Sequence, residues 1–246
     1  MSSGKRRLPA LSMFLPVYNE KEHLETVVAS CLKVLPDVAE TFELILVDDG
    51  SKDGSSEIAD RLSREHPEIR VVHHEKNQGY GGAVRSGIRA CRLPYIFFMD
   101  GDGQFDVREI EKLVPHIYQY DIVAGRRQDR QDPWIRKLFA FGWTMLTNVL
   151  MGIRIHDMDC AFKLFRAEAI QPLDLRCDGN MISAEFMTLA SRRGASIYQL
   201  PVHHYPRVAG EAKGVNAGVI LRAFRELLEV RRRLNQVTEK SGAANA

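Results

Sequence analysis

Short apolar runs alternate with stretches of helical periodicity from residue 11 to about residue 126, and that alternation confines the chain to few folds. Strand patterns fall at Leu11–Val17, Phe42–Val47, Ile69–His73, Tyr95–Met99 and Asp121–Ala124. Helical patterns lie between them, over Glu22–Leu35, Ser55–Glu65, Tyr80–Cys91 and Val107–Tyr118. Strands joined by helical crossovers run parallel, and the helices then cover the sheet. The expectation is an α/β protein with a Rossmann-like, mostly parallel sheet flanked by helices. With 246 residues, 45% of them apolar, the chain can fill one such core.

In this architecture ligands collect at the C-terminal ends of the strands, and the chemically capable residues fall there. Asp100-Gly101-Asp102-Gly103-Gln104 follows the run Tyr95–Met99 and places two carboxylates one residue apart on a glycine-loosened turn. Such a pair can share a divalent cation and receive a diphosphate; an acidic surface turn is the plain alternative. Asp48-Asp49-Gly50-Ser51 follows the second strand, where Asp48 or Asp49 can accept hydrogen bonds from base N–H groups or ribose hydroxyls. Pro16-Val17-Tyr18-Asn19-Glu20 follows the first, with Tyr18 able to stack on a base and Glu20 suited either to a ribose hydroxyl or to a helix N-terminus. Asn77-Gln78-Gly79-Tyr80-Gly81-Gly82 lacks both the Walker ending and the dinucleotide spacing. Its glycines read as close-packing residues at a helix start, with Asn77 and Arg85 in support.

Composition narrows the partners. A net charge of +2 argues against a dedicated nucleic-acid binder. Cys31, Cys91, Cys160 and Cys177 show no metal-type spacing and fit a reducing compartment. Pro9 and Pro16 interrupt the run after Lys5-Arg6-Arg7, so it reads as a basic lead and a first strand instead of a signal peptide. The uncharged stretch Leu138–Ile153 is shorter than the roughly 20 residues a membrane span requires.

These four motifs, with Cys160-Ala161-Phe162-Lys163-Leu164-Phe165-Arg166 as a fifth, stand in the order seen in family 2 glycosyltransferases of the GT-A fold. The chain resembles most the branch of dolichyl-phosphate mannose and polyprenyl-phosphate glucose synthases. The resemblance covers residues 11 to about 214. It implies a GDP- or UDP-hexose donor, Mg2+ or Mn2+ on the Asp-x-Asp turn, and inversion at the anomeric carbon. It also implies that Pro16, Tyr18, Glu20 and Asp49, with Asp48 beside it, hold the nucleoside. Asp100 and Asp102 would then hold the metal-diphosphate, and Gln104 the sugar or metal environment.

The second half supplies the acceptor side. Arg126, Arg127, Arg130 and Arg136 are suited to forked binding of phosphate, or simply to a solvated surface. The run Trp134–Met151 carries Leu138, Phe141, Met145, Leu146, Val149 and Leu150 at helical spacing. It fits a lipid tail, an interfacial helix or a core helix alike. By resemblance, the Cys160–Arg166 segment and Asp159 lie beside the donor sugar. Glu185 is the carboxylate that serves as base in relatives acting on hydroxyls, and a lipid phosphate needs no base. Arg207 and Lys213 match a loop that closes over the diphosphate and the acceptor phosphate, although Ala212 replaces its usual serine. His203 and His204 are neighbours on a strand and face opposite ways, which disfavours joint metal binding.

The expected activity is metal-dependent, inverting transfer of a hexose, mannose or glucose, from a nucleotide-sugar to a polyprenyl phosphate. Transfer to a hydroxyl, with Glu185 or Asp159 as base, is one alternative; a non-catalytic nucleotide-sugar-binding or membrane scaffold is the other. Four segments are expected: a flexible basic lead over 1–10, a single catalytic domain over 11–214, an amphipathic helix over 215–237, and a disordered tail over 238–246. Val219, Ile220, Phe224, Leu227 and Leu228 form that helix's apolar face, ahead of Arg231, Arg232 and Arg233. The expected location is the cytoplasmic face of a membrane, by peripheral contact. A separate membrane subunit and a homo-oligomer both stay open.

Overall fold

A computed structural model describes the backbone of residues 6–128, 134–206 and 224–233, and the side chains of these except 134–141. Its strands are β1 (Leu8–Val17), β2 (Ala39–Asp48), β3 (Ile69–His73), β4 (Tyr95–Met99), β5 (Ile122–Gln128), β6 (Phe162–Arg166) and β7 (Ile197–His203). They form one sheet in the order β3-β2-β1-β4-β6-β5-β7. The helices are α1 (Leu24–Val38), α2 (Ser55–Glu65), α3 (Tyr80–Ala90), α4 (Ile110–Leu113), α5 (Trp134–Met151), α6 (Ala167–Ile170) and α7 (Ile182–Arg192). β1 is an interior strand, and Leu11, Met13, Phe14 and Leu15 are buried on both of its faces, as covered parallel strands require. α1 buries Leu24, Val27, Val28, Cys31, Val34, Leu35 and Val38, a three-and-four spacing that seats one stripe on the sheet.

β6 departs from the simple parallel expectation. It enters antiparallel between β4 and β5, pairing Met99 with Phe162 and Tyr95 with Arg166. Aromatic burial holds it there: Phe162 meets Phe97 edge-on at 4.8 Å, and Phe165 lies 6.3 Å from Phe98. Because β6 runs backwards, the turn that precedes it, 157–161, arrives beside the C-terminal end of β4.

Several boundaries also differ from those expected, three of them near the site or the expected lead. β1 starts at Leu8, inside the anticipated flexible lead, because Leu8 pairs with Ala39 and Arg7 donates to the Ala39 carbonyl at 2.6 Å. Helix over Val107–Tyr118 is replaced by a 3-10 turn (Val107–Glu109), α4 and further turns. Pro115 lacks an N–H and disfavours helical geometry at Val114, so the helix stops. β5 runs on to Gln128, paired with β7 as far as His203, so Arg126 and Arg127 sit on a strand and not after one.

Residues 224–233 are helical and dock on the domain. Leu227 and Val230 are buried, Trp143 of α5 meets Phe224 edge-on at 5.2 Å, and Arg233 pairs with Glu185 at 3.1 Å. Part of the apolar face therefore packs inward, while Phe224 and Leu228 remain exposed. Val219 and Ile220 lie outside the described residues.

Candidate active site

The turns after β1 and β2 are knitted into one wall. Asn19 adopts a left-handed conformation with φ of 55°, which asparagine tolerates. It donates from its backbone to Ser51 Oγ at 3.1 Å and accepts from the Lys52 N–H at 2.8 Å. The Glu20 N–H adds a bond to Ser55 Oγ at 3.0 Å. With the start of α3 and the turn after β4, this wall encloses a pocket of about 370 Å³ lined by Pro16, Tyr18, Glu20, Asp49, Tyr80, Asp100 and Asp102 among others.

Asp48 and Asp49 are adjacent and turn to opposite sides. Asp48 accepts from Ser56 Oγ at 2.6 Å, the Ser51 N–H at 3.0 Å and His73 Nδ1 at 2.9 Å, and it does not line the pocket. Burial acts to raise its pKa, but those donors outweigh it and hold the carboxyl below the usual range. Asp49 faces the pocket. Its Oδ1 accepts from buried His74 at 2.6 Å and from the Gln78 N–H at 2.8 Å, and its Oδ2 from the Gly79 N–H at 3.0 Å. Gly79, at φ of 83°, could not be replaced cheaply, since a Cβ there would come within 2.5 Å of the Asp178 carbonyl. The glycine-rich turn thus packs tightly, as expected, and Arg85 holds the facing loop through the Cys177 carbonyl and Asp178.

On the acidic turn, Asp100 accepts from the Tyr80 hydroxyl at 3.0 Å. Asp100 keeps some surface toward the pocket, yet protein surrounds it closely. Desolvation first, and then the neighbouring Asp102, push its carboxyl up to about 7. Two oxygen-rich groups that repel each other are a donor set suited to a hard divalent cation. Gln104 is committed differently: its side-chain amide donates to the Tyr205 carbonyl at 3.0 Å and its own carbonyl accepts from the Tyr205 N–H at 2.8 Å. It ties the acidic turn to the segment after β7 and does not line the pocket.

The sequence profile of glycosyl transferase family 2 matches residues 12–173. The chain belongs to glycosyl transferase family 2. An undecaprenyl-phosphate 4-deoxy-4-formamido-L-arabinose transferase of Edwardsiella ictaluri is 32% identical over 86% of this chain and 65% of its own length. A dodecaprenyl-phosphate galacturonate synthase of Rhizobium johnstonii is 29% identical over 89% of this chain and 65% of its own. The family 2 chain therefore spans about 65% of these relatives' length. A glucosyl-3-phosphoglycerate synthase of Mycobacterium tuberculosis, solved with Mn2+, UDP and phosphoglyceric acid, superposes with a TM-score of 0.68 at 18% identity over 91% of this chain and 78% of its own. A mannosyltransferase of Pyrobaculum calidifontis, solved with GDP-mannose and Mn2+, gives 0.59 at 16% identity over 83% and 59%. The fold is GT-A.

In this family 2 chain the antiparallel β6 brings further groups to the site. Arg127 grips Asp157 with two parallel bonds of 2.8 Å and a third from its backbone at 3.0 Å. Burial opposes both charges, yet the pair prevails, lowering the Asp157 carboxyl and raising the guanidinium. Lys163 is fully buried, with its ammonium directed at the carbonyls of Met158 and Cys160 and at Ser183 Oγ. Burial lowers its pKa. Lys163 pins the turn that carries exposed Asp159, whose charge reaches Tyr80. Tyr80 and Lys163 stood in the sequence motifs without a role of their own, and His74 stood in none. The pair His73-His74 was the one signal for His74, and it specifies no partner.

Other expected residues lie elsewhere. Glu185 is buried on α7, where Oε2 accepts from the backbone N–H groups of Arg176 at 2.9 Å and Cys177 at 2.8 Å while Oε1 faces Arg233. It anchors the 224–233 helix and does not line the pocket. Arg126 is exposed on β5, on the opposite face from Arg127. Arg130, Arg207 and Lys213 lie outside the described residues, as does the side chain of Arg136. His203 meets Glu109 at 2.5 Å and His204, just past the end of β7, stacks edge-on against Phe105, so each has its own partner.

Proposed function

We propose that this chain transfers a sugar from a nucleotide-sugar to a polyprenyl phosphate, with inversion at the anomeric carbon. One observation carries the donor half: Pro16, Tyr18, Glu20, Asp49, Asp100 and Asp102 line a single pocket although they come from three separate turns. Pro16, Tyr18 and Asp49 hold the nucleoside at one end. Asp100 and Asp102 face the diphosphate at the other, where they are suited to Mg2+ or Mn2+. The two family-fold structures solved with Mn2+ support that choice. The cation would neutralise charge on the departing nucleoside diphosphate. The chain's own residues position the donor, and Tyr80 orients Asp100.

The acceptor half is supported by the named relatives, whose lipids are undecaprenyl and dodecaprenyl phosphates. A second groove of about 500 Å³ runs along α5 and the 152–156 turn, lined by Met145, Val149 and Ile153 with Arg154 and His156 at its rim. An apolar groove with an arginine in its lining suits a phosphorylated isoprenoid. Arg136 and Arg207 are assigned to the acceptor phosphate, and Lys213 to the diphosphate. The acceptor phosphate is already ionised, so no general base is required, and the anchoring role of Glu185 is consistent with that. Asp159 is placed beside the donor sugar. Among the described residues no helix is long and apolar enough to cross a membrane, and we assign the chain to peripheral contact with the cytoplasmic face.

The test is a screen of UDP- and GDP-linked mannose, glucose, galacturonate and formamido-arabinose with a polyprenyl phosphate and Mn2+ or Mg2+, following radiolabel into organic solvent. Metal-dependent label in the lipid is expected with one donor. Label that moves only to water-soluble hydroxyl acceptors would overturn the acceptor assignment, and metal-dependent binding without any turnover would favour a scaffold.

A further inference from the structure

We propose that the donor pocket selects a base presenting a single imide N–H, as uracil does, and turns guanine away. The inference rests on the nucleotide-sugar reading of the pocket. The fold leaves the base open, since one similar structure was solved with UDP and another with GDP-mannose. The hydrogen-bond capacity of Asp49 closes it.

A carboxylate only accepts, and each of its oxygens has two acceptor sites. Asp49 is 2% exposed and three donors already converge on it. His74 Nδ1 lies 2.6 Å from Oδ1 and the Gln78 nitrogen 2.8 Å, while the Gly79 nitrogen lies 3.0 Å from Oδ2. Facing a carboxylate, Nδ1 must carry the hydrogen. His74 Nε2 lies 2.8 Å from Ser86 Oγ, which fixes the ring in that orientation. Oδ1 is thereby filled and Oδ2 retains one site. Tyr18 and Pro16 line the same pocket and supply flat, apolar contact for a base placed against that remaining site.

Guanine presents two adjacent donors, N1–H and the N2 amino group, which match a carboxylate with both oxygens open. Here one is closed, so a docked guanine leaves a donor unpaired in a buried place. Cytosine docked in the pose of uracil presents its ring N3 lone pair where uracil presents N–H, and the carboxylate repels it. Uracil offers one N–H between two carbonyls, which is what a single remaining acceptor can take. A site built around a specific hydrogen bond rejects the analogue that cannot make it far more strongly than a hydrophobic pocket does.

Calorimetry on the full chain with MnCl2 tests this with UDP, GDP, CDP and 3-methyluridine diphosphate. UDP is expected to bind at least about tenfold tighter than each of the other three, the scale of one hydrogen bond to a charged group. GDP binding as tightly as UDP, or undiminished binding of the N3-methylated nucleotide, overturns the base assignment and leaves the nucleotide pocket standing. Binding of none of the four overturns the nucleotide-sugar reading itself. His74→Phe reopens one acceptor site on Oδ1 and is expected to narrow the ratio of UDP to GDP affinity. An unchanged ratio in a folded variant that still binds UDP removes His74 from the account.

Discussion

Tyr80 donates its phenolic hydrogen to Asp100 Oδ1 across 3.0 Å. The bond joins the first turn of α3 to the acidic turn after β4, so two walls of the pocket are held in one register. Tyr80→Phe removes the donor and keeps the ring. The expected result is a drop in kcat/KM of roughly tenfold, the scale of a hydrogen bond to a charged group, with an unchanged circular dichroism spectrum. Unaltered kinetics would show that Asp100 is oriented without Tyr80.

Asp102→Asn is expected to abolish transfer while leaving the fold intact, because removing one charge from a two-carboxylate donor set weakens its hold on a hard cation. Asp100→Asn should behave alike. Transfer assays with and without EDTA, beside Mn2+ titration of each variant, give the answer; near-normal turnover by both variants under chelation would end the metal assignment.

The Arg127–Asp157 pair is a stability element beside the site, with side chains 18% and 11% exposed. Arg127→Met strands a buried carboxylate and should cost about 3–5 kcal/mol in urea unfolding. Arg127→Met combined with Asp157→Leu should recover much of that loss. A double variant no more stable than the single one would mean that the fork's geometry, and not the stranded charge, sets the cost.

His73 contributes a pH dependence of known sign. Burial would lower its pKa, but its bonds to Asp48 and Asp60 prevail and raise it above the usual value. A group whose folded value is raised stabilises fully below its unfolded value, near 6.5, and loses that contribution as pH climbs through the folded one. The Tm difference between wild type and His73→Gln should therefore be largest near pH 5.5 and shrink toward pH 8.5. A difference that grows with pH would reverse the assignment.

Met145 and Val149 project from α5 with 60% and 71% exposure, next to the docked helix that exposes Phe224, Leu228, Arg231 and Arg232. The chain should float with vesicles containing anionic lipid and detach as salt rises. Met145→Asp with Val149→Asp should weaken flotation several-fold at constant salt. Equal flotation of the variant would place the contact on another surface.

Local pattern alone determined a good deal. β3, β4, α2 and α5 begin and end where apolar spacing places them, because such spacing is written in neighbouring residues. The convergence of Pro16, Tyr18, Glu20, Asp49, Asp100 and Asp102 on one pocket follows from strand order. Turns after parallel strands emerge on the same sheet edge, so acidic turns that recur there must meet. The backward insertion of β6 was not legible, since no local signal tells a strand which neighbour or direction it will take. Nor did the sequence separate Asp48 from Asp49, or Arg126 from Arg127. Adjacent side chains on extended backbone take opposite faces, and only the packed partners, His73 against His74 and Asp157 on one side of β5, decide which face is the site. Glu185 shows the same dependence. Its carboxylate is spent on the 176–177 backbone and on Arg233, far along the chain. What a charged group does is set by the donors that surround it in three dimensions, and these come from sequence-distant segments that only the folded chain brings together.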